Sequence, residues 1–93
     1  KIPDYFCSNN QWNNALVRVE IPESVEEIGS NAFYNDKNLH RITIKSNILT
    51  KVGSNSFKQI HSRAVIKVPK ARLKSYTKLL KNKGLSKTVK ITR

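Results

Sequence analysis

Short runs of alternating apolar and polar residues recur along the chain. The sequence is LVRVEI over residues 16–21, LHRITI over 39–44 and RAVIKV over 63–68. Because alternate side chains of an extended strand share a face, each run predicts a strand with one apolar side turned towards a core. The third run keeps Ile66 and Val68 on that side but has Arg63 in the place of the leucine.

A second motif follows each of the first two runs. It is IGSNAF over residues 28–33 and VGSNSF over residues 52–57. The strand motif begins at positions 16, 39 and 63, and the second motif at positions 28 and 52. This spacing falls within the roughly 20–29 residues typical of leucine-rich repeats. We therefore predict stacked coils of one strand and a return path each, in which Phe33 and Phe57 lie one above the other.

The N-terminal segment is interpreted as a damaged earlier repeat. Ile2-Pro3 resembles Ile21-Pro22, and Tyr5-Phe6 is aligned with Ala32-Phe33. Trp12 stands in a polar stretch before the first full repeat. We expect its ring to close the end of the core, in preference to a role as a glycan-stacking aromatic.

Residues 70–82 are predicted to form a helix. Pro69 precedes this segment and Gly84 follows it, which is the favoured placement of these two residue types. An apolar stripe would cover the open end of the last coil, and lysines occupy another side. The stripe is Leu73, Tyr76 and Leu80 with Leu79 at its edge, and the lysines are Lys70, Lys74, Lys78 and Lys81. Residues 88–92 then form a final strand with Val89 and Ile91 facing inward.

The charge of the chain is large and unevenly distributed. There are 18 basic and 6 acidic residues, and the formal net charge is +12. All acidic residues lie within the first 36 positions, so residues 64–93 contain ten basic residues and no acidic one. A segment of one sign attracts polyanions such as nucleic acid, anionic lipid or an anionic wall polymer. The structural alternative is that the lysines keep the last strand from pairing with another chain.

The repeat from Leu16 to Phe33 resembles the BspA-like, or treponemal-type, leucine-rich repeats through the motif L-x-x-V-x-I-P-x-x-V-x-x-I-G-x-x-A-F. The second repeat matches less well, since Lys45 replaces the proline and Ser56 the alanine. The resemblance covers residues 16–69, and the lysine-rich ending is similar to that of many such proteins from Gram-positive gut bacteria. It implies a right-handed β-solenoid on a secreted or cell-surface protein associated with adhesion, and it supplies no catalytic residues.

The chain is therefore interpreted as one α/β leucine-rich-repeat domain with a C-terminal helix–strand cap. Its predicted parts are a partial repeat (1–15), two full repeats (16–38 and 39–62), and a last strand with a basic helical cap (63–93). The opening Lys1-Ile2-Pro3 does not look like a native start. We expect a fragment of a longer extracellular or surface protein, with any signal peptide outside it.

The outward positions of the strands form the candidate binding face. Neighbouring strands lie about 4.8 Å apart, so these side chains form ladders across the sheet. The face is mostly basic, which suits an anionic protein or glycan, and an ordinary solvated surface is the alternative. Its residues are Arg18, Glu20, Arg41, Thr43, Lys45, Val65, Lys67 and Lys90.

Residue types that carry chemistry are sparse in this sequence. His40 and His61 have no partner at a spacing typical of a metal or catalytic site, and the Glu26-Glu27 pair is expected at the surface. The single cysteine, Cys7, is interpreted as a buried structural thiol. Neither a phosphate-binding glycine loop nor metal-ligand spacing is present. We predict a protein without enzymatic activity, catalytic residues, metal or cofactor.

Three functions compete at this point. The first is a surface module that binds a protein or glycan and touches an anionic polymer with its basic end. The second is nucleic-acid or anionic-surface binding by the basic tail, in which nucleic acid is disfavoured because the tail lacks interleaved aromatic residues for base stacking. The third is an accessory domain of a larger secreted enzyme. No stretch has the roughly 20 apolar residues of a membrane span, and the oligomeric state stays open.

Overall fold

The computed structural model describes residues 1–7 and 16–93, and in this part the chain runs repeatedly through two parallel sheets. The larger sheet contains, side by side in this order, β1 (Arg18–Ile21), β3 (Arg41–Ile44), β5 (Val65–Lys67) and β6 (Lys90–Thr92). The smaller sheet pairs β2 (Glu27–Ile28) with β4 (Lys51–Val52) on the return path of two successive coils. The polar stretch that contains Trp12 lies outside the described residues.

The register of the larger sheet follows the repeat of the sequence. Val19 lies opposite Ile42, Ile42 opposite Ile66, and Ile66 opposite Ile91, with all strands parallel. This confirms the predicted side-by-side arrangement of the three apolar runs. β6 begins at Lys90, later than the predicted start at residue 88, because the chain turns at residues 86–89, where the Val89 amide donates to the Ser86 carbonyl at 3.1 Å.

The two phenylalanines of the second motif form the centre of the core. Phe33 and Phe57 are fully buried, and their rings stack with centroids 5.5 Å apart and an interplanar angle of 11°. This confirms the predicted stacking. Ser56, which stands in the place of Ala32, is also buried, and its hydroxyl donates to the Gly29 carbonyl at 2.9 Å. The extra polar atom is therefore satisfied inside the coil.

The N-terminal segment pairs in a different register from the predicted one. Ile2 lies beside Ile28 in a parallel bridge, so it takes the place of Ile28 and not that of Ile21. The Cys7 amide donates to the Ala32 carbonyl at 2.7 Å, which makes Cys7, and not Phe6, the counterpart of Phe33. Phe6 is 56% exposed and packs edge-on against the Phe33 ring. Backbone pairing on the return path sets this register, and the apolar pattern alone misplaced it.

The predicted helix forms in two pieces and is shorter than expected. A 3-10 helix at Lys70–Arg72 leads into α1 (Leu73–Leu80). Lys81 is already extended, and Asn82 adopts a left-handed conformation with φ 69°, so the helix ends at residue 80 instead of 82. On α1, Tyr76 and Leu80 are buried, while the other two apolar residues of the predicted stripe are half-buried.

Candidate functional site

The outward side chains of the larger sheet stand in two rows. Register places Arg18, Arg41, Val65 and Lys90 in the first row, and Glu20, Thr43, Lys67 and Thr92 in the second. Lys45 follows directly after β3, where its amide donates to the Ile21 carbonyl at 2.9 Å. The structure thus brings all eight predicted residues to one surface, here called the strand face, and all are exposed except the half-buried Thr43.

Thr92 belongs to the strand face but was missed in the sequence. The alternation that placed Lys90 outward also places Thr92 outward, at the other end of β6. Two open depressions lie along the rows. One of about 420 Å³ is lined by Arg18, Glu20, Arg41 and Thr43 together with Val19. A second of about 250 Å³ continues it across β5 at Val65 and Lys67.

The strand face carries an excess of positive charge. Its five basic residues and one acidic residue give +4 over the eight predicted positions. Oε2 of Glu20 forms an ion pair with Nζ of Lys45 at 3.3 Å, and this is the one salt bridge found among residues 1–7 and 16–93. Both side chains are at least half exposed, so this pair contributes at most about 1 kcal/mol. Arg18 and Arg41 are direct neighbours across the sheet, and their repulsion favours an anion bound between them.

The second predicted set, the lysines of the basic cap, is exposed throughout. Two of them lie on α1, while Lys70 lies in the 3-10 helix before it and Lys81 directly after it. Lys70, Lys74, Lys78 and Lys81 make no ion pair with any residue that the structure describes. Like charges four residues apart on a helix cost about 0.2–0.5 kcal/mol per pair. The burial of Tyr76 and Leu80 on the opposite side offsets this cost.

The two histidines are neighbours, contrary to the prediction that each is isolated. Their ring centroids are 5.4 Å apart at an interplanar angle of 52°. His40 contacts the Asn38 carbonyl through Nδ1, and Nδ1 of His61 accepts the Arg63 amide at 3.0 Å. Parallel stacking of coils brings them together, because the His61 amide donates to the Leu39 carbonyl. Sequence spacing alone does not reveal this contact.

Asp36 is a buried carboxyl group that sequence reasoning missed. It is 2% exposed, and its Oδ2 has no hydrogen-bond partner among the described residues. Burial raises the pKa of this carboxyl to about 7. Its position in the repeat indicates this burial. Asp36 follows Phe33 at the spacing at which the buried Ile60 follows Phe57. Asp36 therefore occupies an apolar position of the coil.

Cys7 lies close enough to Asp36 for the two groups to interact. Burial, and then the negative charge of Asp36, raise the pKa of the Cys7 thiol. A thiol with a raised pKa is a poor nucleophile at neutral pH. The side chain is half-buried, and not fully buried as predicted. In the described part of the chain, no group of three or more His, Cys, Asp or Glu residues could hold a metal ion.

Comparison with known families gives one result. The family model described as the BspA type leucine-rich repeat region matches residues 1–92 in six copies. The chain belongs to this family. The BspA type match extends beyond residues 16–69, the range of the motif resemblance, and includes the N-terminal segment and the lysine-rich ending. No curated protein and no solved structure matches the chain significantly.

Membership in the BspA type family carries general functional information. Repeats of this type are typical of surface or secreted bacterial proteins, and they generally act as non-catalytic protein-interaction modules. Over residues 1–7 and 16–93, no helix has the length and apolar character needed to cross a bilayer.

Proposed function

We propose that this chain is a recognition module of a secreted or cell-surface bacterial protein that binds an anionic protein or glycan through the strand face. The observation that carries the proposal is the register of the larger sheet, which aligns Arg18 with Arg41 and Thr43 with Lys67. The ligand would lie along the rows, and adhesion to host or bacterial surfaces would follow from it.

Charge and shape support this role of the strand face. Its positive charge is only partly neutralised, because Glu20 already pairs with Lys45. The open depressions beside Arg41 give a partner room to reach the backbone between the rows. Exposed charges such as these basic side chains mainly increase the association rate and the selectivity for partners of opposite charge.

We further propose that the helix and β6 cap the end of a right-handed solenoid. In this proposal the chain is one domain, with a partial repeat, two full repeats, and the segment 63–93 as the last strand and its cap. The buried Tyr76 and Leu80, and the pairing of β6 with β5, support it. Terminal units with a polar outer face keep repeat proteins soluble, and the exposed lysines of the helix provide such a face.

The strand-face proposal is tested by adhesion of beads that carry the purified chain to bacterial and epithelial cells. The variant Arg18→Glu/Arg41→Glu reverses two neighbouring charges of the first row, and we expect at least a fivefold loss of bound beads. Lys37→Glu/Lys51→Glu is the matched control, since both lysines are exposed and lie outside the strand face. Equal adhesion of the wild type and the strand-face variant would refute the proposal.

Location at the surface is a separate proposal with its own test. Antibodies against this chain should label intact cells of the source bacterium as strongly as permeabilised cells. Labelling that requires permeabilisation would place the protein inside the cell and contradict the adhesive role.

The basic C-terminal end is proposed as a second contact surface, for an anionic polymer. Residues 64–93 contain no acidic residue, and their lysines make no ion pair with the described part of the chain. Lys67 and Lys90 of this segment belong to the strand face, and the second contact surface consists of its remaining basic residues, so either proposal can fail without the other.

A further inference from the structure

The end of α1 and the loop before β6 enclose an open groove of about 790 Å³. Three lysines line it, and they come from three separate segments of the chain. Lys58 follows the phenylalanine of the second coil, Lys81 directly follows α1, and Lys87 precedes β6. The fold therefore adds Lys58, which lies outside the basic tail, to two lysines of the tail.

Close packing fixes the position of Lys58 relative to the loop after α1. Gly84 has φ +90°, and a Cβ atom added to it would lie 2.5 Å from the Cβ of Lys58. The Phe57 amide also donates to the Lys83 carbonyl at 3.3 Å. The loop after α1 is thus seated directly on the segment that carries Lys58, so the width of the groove is set by the backbone.

Among the described residues, no acidic side chain lines this groove. The ion pair between Lys45 and Glu20 is the one salt bridge in that part of the chain, so Lys58, Lys81 and Lys87 have no carboxylate partner there. Like charges focused in one concave site raise the local concentration of anions. The groove therefore favours a ligand with several negative groups spaced along a chain.

The other lining residues indicate which anionic chain fits. Thr77, Asn82 and Ser86 offer hydroxyl and amide groups, while Leu85, Val89 and Ile91 provide half-buried apolar surface. Sugar rings present both hydroxyl groups and apolar C–H faces, and so use both kinds of wall. The described lining includes no aromatic side chain, so the stacking platform typical of single-stranded nucleic-acid sites is missing from it.

We infer that this groove binds an acidic polysaccharide, with Lys58, Lys81 and Lys87 contacting its sulfate or carboxylate groups. The inference rests on the second contact surface proposed above and gives it a location and a ligand class. The sugar hydroxyls form hydrogen bonds with Thr77, Asn82 and Ser86, and the apolar wall packs against the faces of the sugar rings. The exposed lysines on the outer side of α1 increase the rate of encounter and do not form the site.

Titration calorimetry of the purified chain tests this assignment, with a heparin octasaccharide as the sulfated probe and an oligogalacturonate of equal length as the carboxylate probe. The groove variant is Lys58→Gln/Lys87→Gln. The matched control is Lys74→Gln/Lys78→Gln, which removes the same charge from exposed positions outside the groove. We expect the Kd of the groove variant to be at least tenfold higher than that of the wild type, and the Kd of the control to change by less than threefold.

Two outcomes would overturn the inference. Equal weakening by both variants would mean that the charge of the whole tail binds without a defined site. Binding of a short oligothymidylate, or of phosphatidylglycerol vesicles, as tightly as both oligosaccharides would reject the ligand class. Thermal melts of each variant exclude loss of folding as the cause.

Failure of the groove can be separated from failure of the second contact surface as a whole. If both lysine pairs matter equally, the basic end still binds polyanions but the groove does not define the site. If neither oligosaccharide binds but the oligothymidylate or the vesicles do, the groove inference alone is rejected. If none of the four probes binds, the second contact surface is rejected as well. The Arg18→Glu/Arg41→Glu variant should retain the wild-type Kd of the groove for the oligosaccharides, because its changes lie on the strand face. Any oligosaccharide bound by the strand face itself would form a separate set of sites that this variant lacks.

Discussion

The hydroxyl group of Tyr76 joins the C-terminal helix to the second coil. It donates to the Ser46 carbonyl at 2.7 Å and accepts the Leu49 amide at 3.0 Å, and the side chain is only 3% exposed. Ser46 is fully buried, and its own hydroxyl donates to the Val25 carbonyl at 2.6 Å. A continuous set of hydrogen bonds therefore connects the first coil, the second coil and α1.

Replacing Tyr76 by phenylalanine keeps the ring and removes both bonds of its hydroxyl. The Leu49 N–H and the Ser46 C=O then lose a buried partner, and an unsatisfied buried polar group costs about 1–3 kcal/mol. An open groove of about 380 Å³ borders Leu49 and Tyr76, so water can reach part of this site and offset some of the loss. We expect Tyr76→Phe to lower the free energy of unfolding by about 2–3 kcal/mol.

Urea unfolding and thermal melts followed by circular dichroism measure this change. In a chain of this size, a loss of about 2–3 kcal/mol corresponds to a Tm lower by roughly 10–20 °C. Tyr34→Phe is the matched control, because its ring is half-buried and its hydroxyl makes no hydrogen bond to a described residue. It should change stability by less than about 0.5 kcal/mol. A similarly small effect of Tyr76→Phe would show that these bonds do not hold the helix in place.

Two further substitutions test the interior. The raised pKa of Asp36 means that the unfolded chain loses this proton near pH 4 and the folded chain only near pH 7, so the contribution of Asp36 to the free energy of unfolding falls between these values. Asp36→Asn should remove this decrease in the free energy of unfolding. The variant should be as stable as the wild type at about pH 3.5 and more stable by up to about 4 kcal/mol at about pH 8. A pH profile of the variant parallel to that of the wild type would refute this. Phe57→Ala leaves Phe33 without its stacking partner and should cost about 3–5 kcal/mol in urea unfolding, whereas a loss below about 1 kcal/mol would mean that the coils do not share one core.

The larger sheet could be predicted because it depends on a local signal. Every second residue of β1, β3 and β5 is apolar, and a one-residue slip would expose all of them, so the pattern fixes both the strands and their register. The strand face follows from the same alternation. The family match covers nearly the whole chain and agrees with this part of the prediction.

The remaining features depend on contacts that the sequence pattern does not encode. β2 and β4 are too short to display an alternation, and Ile2 joins them through two backbone hydrogen bonds and a buried side chain. The proximity of His40 to His61, and that of Lys58 to the basic tail, arise only when coils stack. Asp36 was overlooked because a single carboxyl in an apolar position resembles a surface residue until its burial is known.

The parallel register of the larger sheet has a mechanical consequence. Its strands begin at Arg18, Arg41, Val65 and Lys90, so they are almost evenly spaced along the chain, and each is hydrogen-bonded to the next. Tension that separates the two termini would detach one coil at a time, and each detached coil would lengthen the chain by about 80 Å, since an extended residue spans roughly 3.3–3.6 Å. Pulled by a force probe, the molecule should extend in uniform steps of this length, so that a sudden load between the termini is dissipated coil by coil.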